Sequence, residues 1–482
     1  MLRYHASFSI KQTDVHGNGC SGFKEEPMAM ETKAMSSSGK TTISSDSNSM
    51  MSVEDRKNAR LAAVSGFFGS TIEYFDFVCF ATASALVFSK VFFSGVGAVG
   101  GTIASFATFG VAYIARPLGA VIFGTLGDRI GRTHTLIITL LLMGVATFLV
   151  GCLPTAETIG VAAPILLVVL RLIQGLSAGG EQAGSNSLSS ENAPKEKRGI
   201  FTGWTMIGVS VGTMLGSVAF VPIAALGDEF LLGFGWRIPF LLAGPLMLFT
   251  LWIRAKVKEP KVFTEQQQRN AQAKAPAVPL TEVLRHHWRN LLRVIVCSLY
   301  ALAGSMTSVF GLTYATQYAE LDSAMYLGLT SVLGLVIIPI SLLWAWISDR
   351  IGRRPVFIIS VLGMAVLFPA LFASMHTHNW LIIMAVMVLL QIVAAGGNIV
   401  QAPMYTEMFP SRVRYTGYAV GTQIGLIVVG FAPTIAATLV KPGPTGWIPV
   451  AIFIAVCLVA AAISAFSARE TSGLSLSELD EA

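Results

Sequence analysis

Charge is what this chain has least of. Only 12% of its 482 residues are Asp, Glu, Lys or Arg, while 53% are hydrophobic; an ordinary soluble domain carries about 25% charged residues. So few charges cannot cover a water-facing surface of this size, and the composition places the chain in lipid. Cysteine is also scarce. Cys20, Cys79, Cys152, Cys297 and Cys457 stand singly, four of them in apolar sequence, so neither a disulfide framework nor a metal site is indicated. Histidine is missing from the middle of every apolar stretch: His5, His16, His134, His286, His287, His376 and His378 lie near the N-terminus, in loops or at segment ends. A proton carried through such a chain would ride on a carboxylate. No complete Gly-x-x-x-x-Gly-Lys-Ser/Thr phosphate loop occurs, so pumping would draw on an ion gradient with no cofactor. Gly95-Val96-Gly97-Ala98-Val99-Gly100 has dinucleotide-loop spacing, yet it falls between apolar segments with no strand before it.

What is present is apolar sequence in long runs. Twelve stretches near the roughly 20 residues a bilayer requires are expected at 61–88, 102–126, 134–153, 160–190, 199–226, 237–255, 291–318, 323–348, 355–375, 379–407, 414–438 and 447–467. Lys and Arg test that count. They fall at 56, 57 and 60, at 129 and 132, at 195, 197 and 198, nine times between 254 and 293, at 350, 353 and 354, at 412 and 414, and at 469. The alternate loops hold little beyond Lys90, Lys441 and the helix-edge Arg237. Every second loop is basic, which the positive-inside rule predicts if both termini are cytoplasmic and the number of spans is even.

The expected organisation is a disordered cytoplasmic tail (1–58), a six-helix bundle (59–255), a cytoplasmic linker (256–290), a second six-helix bundle (291–468) and a C-terminal tail (469–482). The first 58 residues are polar and rich in Ser and Met, with no apolar core after Arg3 for a cleaved signal peptide. Met28, Met30, Met35, Met50 and Met51 offer later starting points for translation.

The two halves repeat one another. Gly127-Asp128-Arg129-Ile130-Gly131-Arg132 returns as Ser348-Asp349-Arg350-Ile351-Gly352-Arg353. Glu191, Pro194 and Arg198 return at one constant offset as Glu407, Pro410 and Arg414. Paired repeats in a membrane chain point to a transporter made by duplication. The doubled turn is expected to gate the inner side. Asp128 would meet a helix N-terminus of the other half and Arg129 and Arg132 would reach acids such as Glu191, with Asp349, Arg350, Arg353 and Glu407 as the second copy; plain topology marking by Arg is the alternative.

Gly124-x-x-x-Asp128-Arg129-x-Gly131-Arg132 resembles the signature of the major facilitator superfamily between helices two and three, and Arg171-x-x-Gln174-Gly175 resembles its fourth-helix motif. Glu73-Tyr74-Phe75-Asp76-Phe77, Ala115-Arg116-Pro117-Leu118-Gly119, Gly175-Leu176-Ser177-Ala178-Gly179-Gly180-Glu181, Gly235-Trp236-Arg237-Ile238-Pro239-Phe240 and Glu407-Met408-Phe409-Pro410 together resemble the metabolite:proton symporter family. That family carries shikimate, 2-oxoglutarate, citrate, or proline and betaine. The shikimate carriers are nearest, through Ala163-Pro164-Ile165-Leu166-Leu167-Val168 and Gln401-Ala402-Pro403-Met404-Tyr405-Thr406-Glu407. Where relatives commonly have Gly-Gly-Glu-Trp-Gly-Gly, this chain has Gln182 in place of Trp and Ala183 in place of Gly.

Candidate sites follow from the cost of charge in a bilayer: ionised side chains there face a polar cavity or one another. Gly69, Glu73, Asp76 and Phe80 share one helical face, and Arg171, Gln174, Ala178, Glu181 and Ser185 share another. The spacing suggests that Asp76 pairs with Arg171 and that protonating Asp76 frees the arginine, with Glu73 and Glu181 as competitors for the proton; a static ion pair is the alternative. Arg116 sits mid-span as a cation for a substrate carboxylate, or else as the neutraliser of Glu73. Candidate substrate contacts are Arg116, Gln174, Gln182, Tyr300, Tyr314, Gln391, Asn398 and Gln401.

The reading is an all-α integral membrane protein with twelve transmembrane helices in two six-helix bundles, the major facilitator fold. It implies a monomeric, proton-coupled symporter in the plasma (inner) membrane, importing a small carboxylate or zwitterion, with a shikimate-like acid favoured. Its partners are that small molecule, protons and the lipid bilayer, with no nucleic acid. A proline/betaine-type symporter, an uncoupled facilitator and an exporter are the alternatives within the class. A membrane receptor lies outside it, and no nucleophile/base pair or metal cluster suggests an enzyme.

Overall fold

The computed structural model describes residues 53–192, 198–259, 279–410 and 413–470. Most of the expected tail (1–52), of the linker (260–278) and of the C-terminus (471–482) lies outside the described residues. Each of the twelve apolar stretches is helical, because a segment in lipid must satisfy its backbone hydrogen bonds within itself. The first bundle contains α1 (Val53–Leu86), α2 (Gly97–Ile130), α3 (Arg132–Cys152), α4 (Ala162–Asn192), α5 (Arg198–Ala225) and α6 (Arg237–Arg254). The second contains α7 (Trp288–Gln317), α8 (Ser323–Ile351), α9 (Arg353–Met375), α10 (Trp380–Thr406), α11 (Arg414–Leu439) and α12 (Ile448–Ser467).

Ten of these are long and apolar enough to cross a membrane as single helices. The eighth qualifies as a pair, Ser323–Gly334 and Pro339–Ser348, bent by 44°, where Pro339 removes a backbone donor. The first is as long as any, but Glu73 and Asp76 dilute its apolar run. These helices are consistent with the count of twelve. Two local differences arise: α1 begins at Val53, ahead of the expected span, and a short helix, Pro279–His286, occupies the end of the expected linker.

Small residues set how closely the helices pack. Gly208, Gly212 and Gly216 stand four apart on α5, and a Cβ on any of them would meet the backbone of α1 at Phe67, Thr71 or Phe75. Gly119 on α2 and Gly175 and Gly179 on α4 face each other's backbone in the same way. The Gly-Gly pair in α4 is therefore a packing device.

The two halves meet along two seams. On one, Gly110 of α2 abuts Gly430 and Phe431 of α11, with Tyr113 against Gly430. On the other, Gly334 of α8 lies beside Met214 of α5. At the membrane face away from the basic loops α1 also meets α7, where the Thr313 hydroxyl donates to the Ala85 carbonyl at 3.3 Å.

Candidate functional site

Among the described residues, three buried ion pairs line the interior of the first bundle, and they differ in how fully they are satisfied. Arg171 and Asp76 are both fully buried, with Nη1 3.5 Å from Oδ2. Asp76 Oδ1 accepts from Thr147 Oγ1 at 2.8 Å and from Gln174 Nε2 at 2.7 Å, and Gln174 Oε1 accepts in turn from Arg171 at 3.2 Å. Helical spacing explains the convergence: Arg171 and Gln174 lie one turn apart on α4 and face the Asp76 stripe of α1. The Arg171 guanidinium is otherwise packed against aromatic rings, 4.0 Å from the centroid of Phe80, 4.7 Å from Phe77 and 5.4 Å from Phe109. Its Nε and Nη2 have no hydrogen-bond partner among the described residues. Such faces compensate a desolvated cation without fixing its direction.

The second pair is Arg116 Nη2 with Glu73 Oε1 at 3.4 Å, both buried. This one long contact leaves Glu73 Oε2 and Arg116 Nε without a hydrogen-bond partner among the described residues. Arg116 leans on Phe77 at 4.2 Å and Tyr113 at 4.7 Å. Phe77 therefore touches both guanidiniums and forms the wall shared by the two pairs.

The third pair is saturated. Arg254 Nη2 and Nη1 clasp Glu181 at 2.7 and 3.0 Å. Glu181 also accepts from Ser185 at 2.9 Å and Thr139 at 2.8 Å, and Arg254 donates to the Leu136 carbonyl and to Ser65. Arg254 is fully buried, whereas from sequence it stands at the end of the sixth span and counts with the basic run that continues into the linker. Gly69 makes room for it, since a Cβ there would strike Arg254 Nη2 and Glu181 Oε1.

In the second bundle, the Tyr300 hydroxyl of α7 donates to Asn398 Oδ1 of α10 at 3.0 Å, and Gln401 lies one turn further along α10. Tyr74 follows Glu73 on α1. Asn398 is exposed although it lies inside a membrane-length helix. Gln391 is half-buried two turns along α10.

Not every candidate joins this group. Tyr314 is engaged elsewhere: its hydroxyl lies 2.7 Å from His376 Nε2 and its ring stacks on Tyr318, at the end of α7 remote from the basic loops. The amide of Gln174 is spent on Asp76 and Thr147. The side chain of Gln182 lies outside the described residues, as do those of Asp128, Arg129, Glu191 and Asp349.

The doubled turn has partners that the sequence comparison of halves did not supply. Gly131 and Gly352 adopt φ of 104° and 99°, which glycine alone adopts without strain. The backbone N–H groups of Arg132 and Thr133 donate to Glu259 at 3.0 and 2.9 Å, and those of Arg353 and Arg354 donate to Glu470 at 3.2 and 3.0 Å. The acid that follows the last helix of each bundle thus caps the third helix of the same bundle, where unpaired donors and the helix dipole favour a carboxylate. The sequence signal was there in Lys258-Glu259 and Arg469-Glu470, each placed just past a last helix. In the second copy Arg353 also binds Glu407 at 2.8 Å, and Arg350 lies over the Trp346 ring at 3.8 Å. Replacing Glu259 with Ala is expected to lower stability by about 1 kcal/mol, the usual worth of a cap, measurable by denaturant unfolding in mixed micelles; Glu470→Ala should cost a similar amount.

Comparison with known proteins agrees with this architecture. The Major Facilitator Superfamily model matches residues 66–341, and the model described as sugar (and other) transporter matches 278–482. The chain is 40% identical over 415 residues to the shikimate transporter of Escherichia coli K12, covering 84% of this chain and 93% of that protein. It is 32% identical over 434 residues to the proline/betaine transporter of the same strain, covering 88% and 86%. Among solved structures, a D-xylose-proton symporter superposes with a TM-score of 0.70 at 18% identity, covering 86% of this chain and 99% of the other. With membrane-length helices throughout, and with the family model and relatives agreeing, the chain belongs to the Major Facilitator Superfamily and is a multi-pass membrane transporter of small molecules, not an enzyme.

Proposed function

We propose that the protein is a proton-coupled symporter importing a small organic acid of the shikimate type across the inner membrane, with both termini cytoplasmic. The observation that carries this reading is the contrast among the three ion pairs. The Glu181–Arg254 pair is saturated and holds the bundle together. Asp76–Arg171 is a carboxylate–arginine pair whose cation is held mostly by rings, so a proton on Asp76 removes the charge that keeps Arg171 in place. Glu73–Arg116 retains an unbonded oxygen and an unbonded N–H, which suits Arg116 to receive a substrate carboxylate while Glu73 takes a proton. Tyr300, Asn398 and Gln401 then provide donors and acceptors for hydroxyl groups from the opposite bundle.

In this account Asp128, Arg129 and Arg132, with Asp349, Arg350, Arg353, Glu191 and Glu407, latch the cytoplasmic side when it closes, and the protein works as a monomer. Replacing Arg116 with Lys is expected to raise the KM for a carboxylate substrate by about ten- to a hundredfold, because a lone ammonium cannot reproduce charge-assisted, two-pronged contacts. Initial-rate uptake in proteoliposomes measures this.

A second reading, a proline/betaine-type symporter, is favoured by the tyrosines Tyr74, Tyr113, Tyr300 and Tyr418, carried on α1, α2, α7 and α11, since aromatic faces suit a quaternary ammonium. Accumulation of labelled shikimate, 2-oxoglutarate and betaine under an imposed proton gradient, with and without an uncoupler, decides between them. Uncoupler-sensitive accumulation of shikimate supports the main reading, and that of betaine alone supports the second. Uptake of all three at the level of empty vesicles rejects both.

A further inference from the structure

A groove of about 460 Å³ opens between the start of α7 and the end of α12, on the membrane face that bears the basic turns. Its floor is apolar, formed by Leu292, Val296, Ala460 and Ile463, and its rim carries Trp288, Arg289 and Arg293. Leu292 and Ile463 are 51% and 65% exposed, so the floor faces the hydrocarbon. The two guanidiniums stand one helical turn apart. Arg293 donates to Ser467 Oγ at 3.1 Å and Asn290 Oδ1 at 2.7 Å, both neutral. Arg289 contacts the Trp288 ring at 5.6 Å. Neither arginine meets a carboxylate among the described residues.

The arrangement occurs twice. At the start of α1, the first helix of the other bundle, Arg56, Lys57 and Arg60 border a groove of about 410 Å³ with Leu61 and Val64. Arg56 and Arg60 have the same four-residue spacing as Arg289 and Arg293 and lie at one constant offset from them. All three basic side chains are exposed, with no acidic partner among the described residues.

We propose that each groove is a site for an anionic phospholipid, its phosphate held between the paired arginines and an acyl chain laid along the apolar floor. Positive charge without an internal counterion at the depth of the headgroups is complementary to a lipid phosphate. The apolar floor that continues from it into the hydrocarbon fits a diacyl lipid, and Trp288 occupies the interfacial level that indole rings favour. A free phosphate would leave that floor uncovered. The α7–α12 groove, with two hydroxyls of α12, Ser464 and Ser467, beside its arginines, is the stronger of the two.

Native mass spectrometry of the full-length protein, equilibrated in detergent with phosphatidylglycerol or phosphatidylcholine, tests this. The wild type is expected to retain phosphatidylglycerol over phosphatidylcholine, with retention falling as salt is raised. Arg289→Gln should weaken phosphatidylglycerol binding at this groove about fivefold, and Arg289→Gln with Arg293→Gln about thirtyfold, with phosphatidylcholine unchanged. Arg293 also ties α7 to α12 through Ser467, so the exposed Arg289 carries the test alone if the double variant does not fold. Equal retention of the two lipids by the wild type, or undiminished phosphatidylglycerol binding by a folded Arg289→Gln protein, overturns the proposal.

Discussion

Asp76→Asn is expected to abolish proton-driven accumulation while leaving counterflow of the same substrate largely intact. The amide is nearly isosteric with the carboxylate and can still accept from Thr147 and Gln174, which lie 2.8 and 2.7 Å from Oδ1 in the wild type. What it cannot do is gain and lose a proton, or attract Arg171 as a charge. Arg171 keeps Phe77, Phe80 and Phe109 around it, and each such contact is worth up to about 2 kcal/mol for a desolvated cation, so the helices have reason to stay assembled. Internal substrate should therefore fall from a concentrated level to the external one, whatever gradient is imposed. Preserved accumulation with the Asn variant would reduce the pair to a static strut between α1 and α4. Phe77→Leu, which removes the wall shared by Arg116 and Arg171, is expected to show a milder form of the same defect: lower accumulation at unchanged exchange.

Arg254→Ala should have the largest effect on stability. Deleting one member of a buried, hydrogen-bonded pair leaves a charge in low dielectric and costs about 3 to 5 kcal/mol. Here the orphan would be Glu181, fully enclosed with Thr139 and Ser185. Glu181→Gln should cost less, because the amide can still accept from Arg254. The double replacement Glu181→Leu, Arg254→Met should recover much of the loss, since neither charge remains to be solvated. Denaturant unfolding of the wild type and the three variants in mixed micelles measures these differences. A loss of under about 1 kcal/mol for Arg254→Ala would show that water reaches the pair. Gly69→Ala should behave like a weaker Arg254 variant, because its methyl group would occupy the space of the guanidinium and carboxylate.

The helices were legible in sequence because a bilayer imposes length and apolarity on each span, and both are visible without tertiary context. The meeting of Asp76 with Arg171 followed from two charged stripes at helical spacing. Arg254 was hidden for the opposite reason. It is the last residue of α6, followed by Lys256 and Lys258, so it counts with that basic run, and only the packing of α6 against α1, α3 and α4 carries it inward. The rings of Phe77, Phe80 and Phe109 were equally silent, since an aromatic residue in an apolar helix gives no sign that its face holds a cation. Gln174 and Tyr314 show the converse limit. Both were candidate substrate contacts by residue type and depth, yet one spends its amide on Asp76 and the other its hydroxyl on His376. The acids that cap the doubled turn, Glu259 and Glu470, fell outside the repeat comparison because each lies past the end of its bundle.

The central claim is that substrate and proton move together through the buried carboxylates of α1. Its most direct measurement is the pH of a weakly buffered medium around proteoliposomes when shikimate is added with no gradient imposed. The account predicts a prompt rise in external pH that scales with shikimate uptake, is collapsed by a protonophore and is absent in Asp76→Asn. Shikimate entry with no change in external pH would contradict it.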